Sequence, residues 1–283
     1  MPFLRIQRAL ARRFHRPQAV PSLPIDTDPA TLAPDTVIPF RCNLCGTRNA
    51  VPLAQLQREQ RSCAGCGSTV RFRAMAHLLV AEIFGAPAVV DELPKRKQIV
   101  GIGLSDDDSY ARPLARELGY VNTWFHTAPQ LDIANVPPAM EGRYDFLLAS
   151  DVFEHVVPPV ARAFVNARRL LKPGGVFVFS VPFSLAVDTV EHFPELHEFR
   201  IAEEADGWRL FNRTRDGREQ VFDDLVFHGG PGSTLEMRLF SRAGLEREFA
   251  AAGFSSLRVA AEPYLPFGIV WPEPWSVPFV ARA

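Results

Sequence analysis

From residue 98 onward, short apolar runs alternate with stretches of helical period. Residues 98–104, 120–125, 144–150 and 176–181 are apolar runs of strand length. The run over 144–150 is almost unbroken, as a central parallel strand covered on both faces requires. Between these runs the period changes. Ala163, Phe164, Ala167, Leu170 and Leu171 share one face of a helix predicted over 159–171, which stops at Lys172-Pro173-Gly174-Gly175. A helix over 110–118 is expected to close at Gly119 as its C-cap, and another runs from the N-cap Ser241 to Ala252 with Gly253 at its end. Strands alternating with helices at this spacing predict an α/β fold, a Rossmann-like parallel sheet with helices on both faces. Late strands are expected over 255–260 and 277–281, and a hairpin over 208–222 turns at Asp216-Gly217.

The first third reads differently. Residues 1–39 join a basic start to a linker carrying Pro17, Pro21, Pro24, Pro29, Pro34 and Pro39, which no helix tolerates. Residues 40–73 hold all the cysteines. Residues 74–97 supply a helix over 74–84 and a second connection. Residues 98–283 form the Rossmann-like domain, interrupted by a less regular insertion at about 183–240.

Composition narrows the function classes. The 283 residues are 47% hydrophobic and 22% charged, with a formal net charge of -1. That is a globular chain and no polycation, which argues against a nucleic-acid partner. No apolar stretch is long enough to span a bilayer, and no apolar run of secretory-signal type opens the chain. Arg5, Arg8, Arg12, Arg13 and Arg16 alternate with Phe3, Leu4, Ile6, Leu10 and Phe14. Residues 1–16 therefore read as a solvated terminus, a transit peptide or a weak membrane-surface contact. Cytoplasmic location is the expectation from the cysteines. They read Cys42-x-x-Cys45 and Cys63-x-x-Cys66, with none left for disulfides elsewhere. Gly46 and Gly67 follow the two pairs, where a metal knuckle needs positive φ. Two such knuckles make a closed tetrahedral thiolate site, so Cys42, Cys45, Cys63 and Cys66 are expected to hold structural zinc.

Tyr144-Asp145-Phe146-Leu147-Leu148-Ala149-Ser150-Asp151-Val152-Phe153-Glu154-His155-Val156, followed by Arg169-Leu170-Leu171-Lys172-Pro173-Gly174-Gly175, resembles the class I S-adenosylmethionine (SAM)-dependent methyltransferases, type 11-like. With the cysteine pairs in front, the chain is similar to members that carry an N-terminal zinc ribbon. The likeness is tight over these two blocks and loose from Gln98 to the end. It implies SAM as cofactor, held by Gly101, Gly103 and Ser105 from the first loop and Thr123 after the second strand. Asp132 and Ile133 would lie on the adenine side, with Ser150, Asp151 and Phe153 after the fourth strand. The first loop and the ribose-binding acid depart from the family pattern. Its E-x-G-x-G-x-G loop reads Gly101-Ile102-Gly103-Leu104-Ser105-Asp106-Asp107 here, and its ribose-binding acid falls on Asn122 or Thr123. Asp106 is a nearby acid that would compensate.

Methyl transfer needs acceptor, methyl and sulfur aligned and the acceptor proton removed. His155 is the first candidate base, His228 the second, and Asp151 the group that meets the cationic end of the cofactor. His228 opens the loop Gly229-Gly230-Pro231-Gly232. Glu236 and Arg238 lie beyond it, as a paired ion or an acceptor contact. His192 and His197 with Glu191, Glu195 and Glu198 read as a solvated face, an acceptor pocket or a metal cluster, and Trp271 and Trp275 as packing or stacking rings. The favoured function is methyl transfer to a small-molecule or glycan hydroxyl. The alternatives are an inactive methyltransferase-like scaffold and a zinc-ribbon module that binds or modifies nucleic acid. Oligomeric state is not legible in the sequence.

Overall fold

A computed structural model describes residues 27–275 and 277–283. The basic stretch over 1–16 lies outside the described residues. Strands β1 (Val37–Arg41) and β2 (Arg48–Pro52) form an antiparallel hairpin, followed by helix α1 (Val70–Phe84). Then β3 (Arg96–Leu104), α2 (Asp108–Glu117), β4 (Leu118–Thr123), β5 (Tyr144–Ser150), α3 (Ala161–Leu170) and β6 (Leu171–Ser180) alternate as expected. The insertion contributes short strands: β7 (Phe183–Ser184), β8 (Val190–Glu191), β9 (Glu198–Glu204), β10 (Gly207–Arg213), β11 (Glu219–Phe222), β12 (Phe227–His228), β13 (Thr234–Leu235) and β14 (Arg238–Ser241). Helix α4 (Arg242–Ala251) and strands β15 (Ser256–Val259) and β16 (Phe279–Arg282) complete the chain.

The main sheet runs β15-β16-β6-β5-β3-β4. Strands β4, β3, β5 and β6 are parallel, and β16 lies antiparallel between β6 and β15. The chain leaves β3 for β4 on one side and returns to β5 on the other. The strand order therefore reverses between β3 and β5, and a crevice opens beyond their carboxyl ends. Alternate side chains sort into two cores. Phe146, Leu148, Val176 and Val178 pack with α1, α2 and the cysteine segment. Leu147, Ala149, Phe177 and Phe179 pack with α3 and α4. Ile38, Phe40, Cys42 and Leu44 are buried in the first of these, so the cysteine segment and the sheet share one core. A smaller cluster of Phe193, Leu210, Leu235 and Met237 supports the insertion. Among the described residues, no helix is long and apolar enough to cross a membrane.

Several boundaries differ from expectation, each for a local reason. Helix α1 starts at Val70 because Thr69 caps it, accepting from Phe72 N at 3.3 Å. Arg71, Phe72 and Arg73 thereby join its first turn. Helix α2 starts at Asp108 under the cap of Asp107. Gly119 is not a left-handed cap: extended Leu118 ends the helix, and Gly119 lies in β4, where a Cβ would overlap the Lys97 carbonyl. Strand β6 begins at Leu171 rather than 176. Leu171 pairs with Tyr144, then the register shifts before Phe146 meets Val176, so Lys172–Gly175 form a bulged entry. The hairpin over 207–222, the Ser241 cap of α4 and both late strands form within a few residues of their predicted places.

Candidate active site at the carboxyl ends of the central strands

After β5 the chain turns at Asp151 with a left-handed φ of 57°, and after neighbouring β3 it turns at Ser105 with φ 55°. Among the described residues these are the non-glycine residues with positive φ. Such conformations cost about 1–3 kcal/mol and collect at functional sites. Both stand at the reversal of strand order.

The Asp151 carboxylate is held by arginines from the cysteine segment. Arg58 donates to both of its oxygens at 2.7 and 2.9 Å. Arg71 Nε stands 3.5 Å from Asp151, and its Nη1 donates to Ser150 Oγ at 2.7 Å. Ser180 Oγ donates to Asp151 at 3.3 Å and lies 2.9 Å from Ser150 Oγ. Glu59 accepts two bonds from Arg71, each 2.7 Å, and pairs with Arg58. Burial alone would push Asp151 up, but Arg58 and Arg71 outweigh it and hold the carboxyl below its ordinary value. The segment's arginines were visible in the sequence, but no spacing showed that Arg58 and Arg71 reach Ser150 and Asp151.

The first loop is built inward. Gly101 makes room for the Phe146 ring, and Gly103 for the Tyr120 hydroxyl and the Asp106 carboxylate; a Cβ at either would overlap them. Asp106 does not face outward, which corrects its expected compensating role. It is buried and accepts from the hydroxyls of Tyr110 and Tyr120. Burial raises it to about 6 despite those two donors. Asn122 is occupied in pinning the same loop, accepting from Asp106 N at 3.0 Å and donating to Asp106 O at 2.8 Å. Thr123 donates to Gly103 O at 2.7 Å. Asp132 accepts from Ala134 N at 2.9 Å, and the carbonyl of buried Ile133 accepts from Asn166 at 2.9 Å. Phe153 lies in the core, its ring 4.9 Å from Phe164 and 5.1 Å from Phe179.

The turn after Asp151 is clamped to the insertion. Arg238 Nη1 donates to Phe153 O at 2.8 Å, Met237 N to Glu154 O at 2.8 Å, and the His155 ring meets Leu235 O through Nδ1 at 2.9 Å. Strand β12 pairs with β13, opposing Phe227 to Leu235, so His228 swings over His155. Their rings cross at 89° with centroids 4.7 Å apart, and His228 Nδ1 lies 3.2 Å from His155 Nε2. His228 Nε2 meets Glu236 at 3.0 Å, and Glu236 also meets His192 Nε2 at 2.9 Å. Glu154 is 1% exposed, and neither carboxylate oxygen has a hydrogen-bond partner. Burial, with Asp151 nearby, pushes it well above the usual carboxylate range, and burial lowers His155. The two histidines singled out separately in the sequence are thus brought together. The residues over 191–198 are not: Glu191 pairs with Arg238, Glu195 with Arg218 and His192 with Glu236, so no metal cluster forms among them. Trp271 packs between the two main cores, whereas Trp275 is exposed.

The four cysteines converge. Cys42 Sγ lies 3.6 Å from Cys66 Sγ, and Cys45 Sγ 3.7 Å from Cys63 Sγ. Thiolates about 2.3 Å from a tetrahedral zinc ion stand about 3.8 Å apart, so the set fits that ion. Gly46 N and Gly67 N donate to Cys42 O and Cys63 O, each at 2.9 Å, with φ of 72° and 69°, so both pairs form the same knuckle. Ser68 Oγ stands 3.3 Å from Cys42 Sγ, and Asn49 Nδ2 points to Cys63 Sγ at 3.6 Å.

A family model described as a methyltransferase domain matches residues 64–259, more than half of the chain. No curated protein matches. Among solved structures, the chain is similar to an S-adenosylmethionine-dependent methyltransferase from Clostridium acetobutylicum, at 11% identity and TM-score 0.40, over 76% of this chain and 91% of that one. A second, from Mesorhizobium loti, matches at 15% identity and TM-score 0.38, over 77% and 100%. A SAM-bound amino pentose methyltransferase from Micromonospora echinaspora matches at 14% identity and TM-score 0.41, over 76% and 92%. These structural likenesses are distant and add no weight to the family match.

Proposed function

The chain belongs to the methyltransferase-domain family, and on that premise we propose that it is a SAM-dependent enzyme that methylates a hydroxyl of a small molecule or glycan. The observation that carries the reading is the pair of left-handed turns, Ser105 and Asp151, at the reversal of strand order. When bound, the cofactor supplies an electrophilic methyl group on a sulfonium. Ser105, Thr123, Asp132, Ser150 and Asp151 are the residues that would hold it. The charges there suit a zwitterionic amino-acid group, whose ammonium and carboxylate would replace part of the pairing between Asp151 and Arg58, since Arg58 donates to both Asp151 oxygens. Gly101 and Gly103 support this crevice by letting Phe146 and Tyr120 pack behind it.

The chain's own work is alignment and proton handling. The proton that the acceptor hydroxyl must lose is handled at the cluster of His155 and His228, whose rings cross, with Glu154 and Glu236 beside them. Zinc in the cysteine site is structural in this reading. It closes the segment that delivers Arg58 and Arg71.

The test is an acceptor screen. Zinc-loaded protein is incubated with cofactor carrying a labelled methyl and a panel of hydroxylated small molecules and oligosaccharides. One methyl ether per demethylated cofactor is the expected product. Label found only on nitrogen or carbon acceptors would refute the hydroxyl assignment.

A further inference from the structure

The tautomers of the two histidines are set by their outer partners. A backbone carbonyl only accepts, so the contact between His155 Nδ1 and Leu235 O at 2.9 Å puts the ring proton on Nδ1. Nε2 of neutral His155 is then a lone pair. The Glu236 carboxylate, 3.0 Å from His228 Nε2, likewise draws the proton there and leaves Nδ1 as a lone pair. These two lone pairs face one another across 3.2 Å. Glu154 Oε1 stands 3.7 Å from His155 Nε2 and 4.0 Å from His228 Nδ1, and both Glu154 oxygens are buried without a hydrogen-bond partner. Three electron-pair donors thus converge on one point. Lone pairs repel at that distance unless a positive species, a shared proton or a metal ion, sits among them.

We propose that Glu154, His155 and His228 form a second metal site, distinct from the four cysteines, for a divalent first-row ion such as Mn(II), Fe(II) or Zn(II). Two imidazoles and one carboxylate on one side of an ion are a ligand set that leaves further positions open. Ligand atoms about 2.1 Å from an ion stand about 3.0–3.4 Å apart in octahedral or tetrahedral geometry, so only Glu154 has to move inward. The outer shell is already in place. Metal-bound histidines hold their second nitrogen against a carbonyl or carboxylate, as Leu235 O and Glu236 do here. The neighbouring Arg238 does not serve as the counter-charge, because its guanidinium is turned to Phe153 O and Glu191. The inference deepens the proposed function and rests on it for its purpose. An ion with open positions lowers the pKa of a bound hydroxyl, so the cluster would handle the acceptor proton through the cation rather than through free imidazole.

The probe is Mn(II), which thiolate sites disfavour. Zinc is loaded into the cysteine site, excess metal is removed, and Mn(II) is titrated calorimetrically with parallel electron paramagnetic resonance. One Mn(II) per chain is expected. His228→Asn is expected to weaken it about tenfold or more with an unchanged thermal transition, because His228 lies on a half-exposed hairpin. Glu154→Gln, which keeps the side chain's size, is expected to weaken it as well. The site is overturned if wild-type protein takes up no Mn(II), Co(II) or Zn(II) beyond the cysteine site at millimolar metal, or if both variants bind as wild type does. S-adenosylhomocysteine titrated into the same samples separates the two claims. Cofactor binding without metal uptake removes only the cation site, and metal uptake without cofactor binding removes only the methyltransferase reading.

Discussion

Stripping the metal from the four-cysteine site, by chelation or by Cys42→Ser with Cys45→Ser, is expected to abolish cooperative folding of the whole chain. Structural zinc contributes about 10–16 kcal/mol in small modules, whereas a domain's net stability is about 5–15 kcal/mol. The loss would stay local only if the cysteine segment packed on itself. It does not: Ile38, Phe40, Leu44 and Leu56 share a core with Phe146, Leu148 and Val178 of the sheet. Arg73 extends the coupling. It is fully buried, donates to Phe267 O at 2.8 Å and Gly268 O at 2.9 Å, and so ties the C-terminal segment to the knuckles. Burial pulls its guanidinium down while the four cysteine sulfurs hold it up. Without thiolates that buried charge loses its counter-charges. Circular dichroism melts with and without chelator check this, with one transition expected in the zinc form and none in the stripped form. A stripped protein that keeps the sheet's transition would make the segment an independent appendage.

Asp151→Asn is the second large effect. Asparagine tolerates the left-handed backbone, so the substitution tests the charge. It leaves Arg58 and Arg71 facing a neutral amide; breaking a fully buried pair costs about 3–5 kcal/mol, and this partly buried one is expected to lose up to about 3 kcal/mol in a network that also holds Ser150 and Ser180. The urea midpoint at neutral pH is expected to fall accordingly. The sign of the pH dependence comes from the direction of the shift. Asp151 titrates below its unfolded value when folded, so its stabilisation is complete above about pH 4 and fades as pH falls further. The gap between wild type and variant should therefore be constant near neutrality and close in acid. A variant as stable as wild type at pH 7 would mean that the arginines are held by other partners.

Legibility in the sequence divides along the range of the interactions. The apolar periods marked each parallel strand of the main sheet, because a strand's burial is written in consecutive residues. The knuckles were legible for the same reason: two residues between thiolates and a glycine after them are a local rule. Helix starts were less legible, because Thr69 and Asp107 cap α1 and α2 through single side-chain bonds that outweigh the apolar pattern. Gly119 misled because a glycine after a helical stretch serves as readily for close approach in a strand as for a cap. The site was half visible. Asp151 and His155 share one turn and were singled out together, with Glu154 between them visible only as part of the family block. His228 reaches them only through the β12–β13 pairing, and Arg58 only through the fold of the cysteine segment; neither distance is encoded by spacing. Gly103 shows a third case. It resembles a cofactor-loop glycine in sequence, and in the structure its missing side chain accommodates Tyr120 and Asp106.

Cofactor binding at the reversal of strand order is tested most directly by calorimetric titration of zinc-loaded protein with S-adenosylhomocysteine. Micromolar, one-to-one binding that weakens in Asp151→Asn is the expected result. A folded, zinc-loaded protein that gives no heat at millimolar ligand would contradict it and leave a methyltransferase fold without its cofactor.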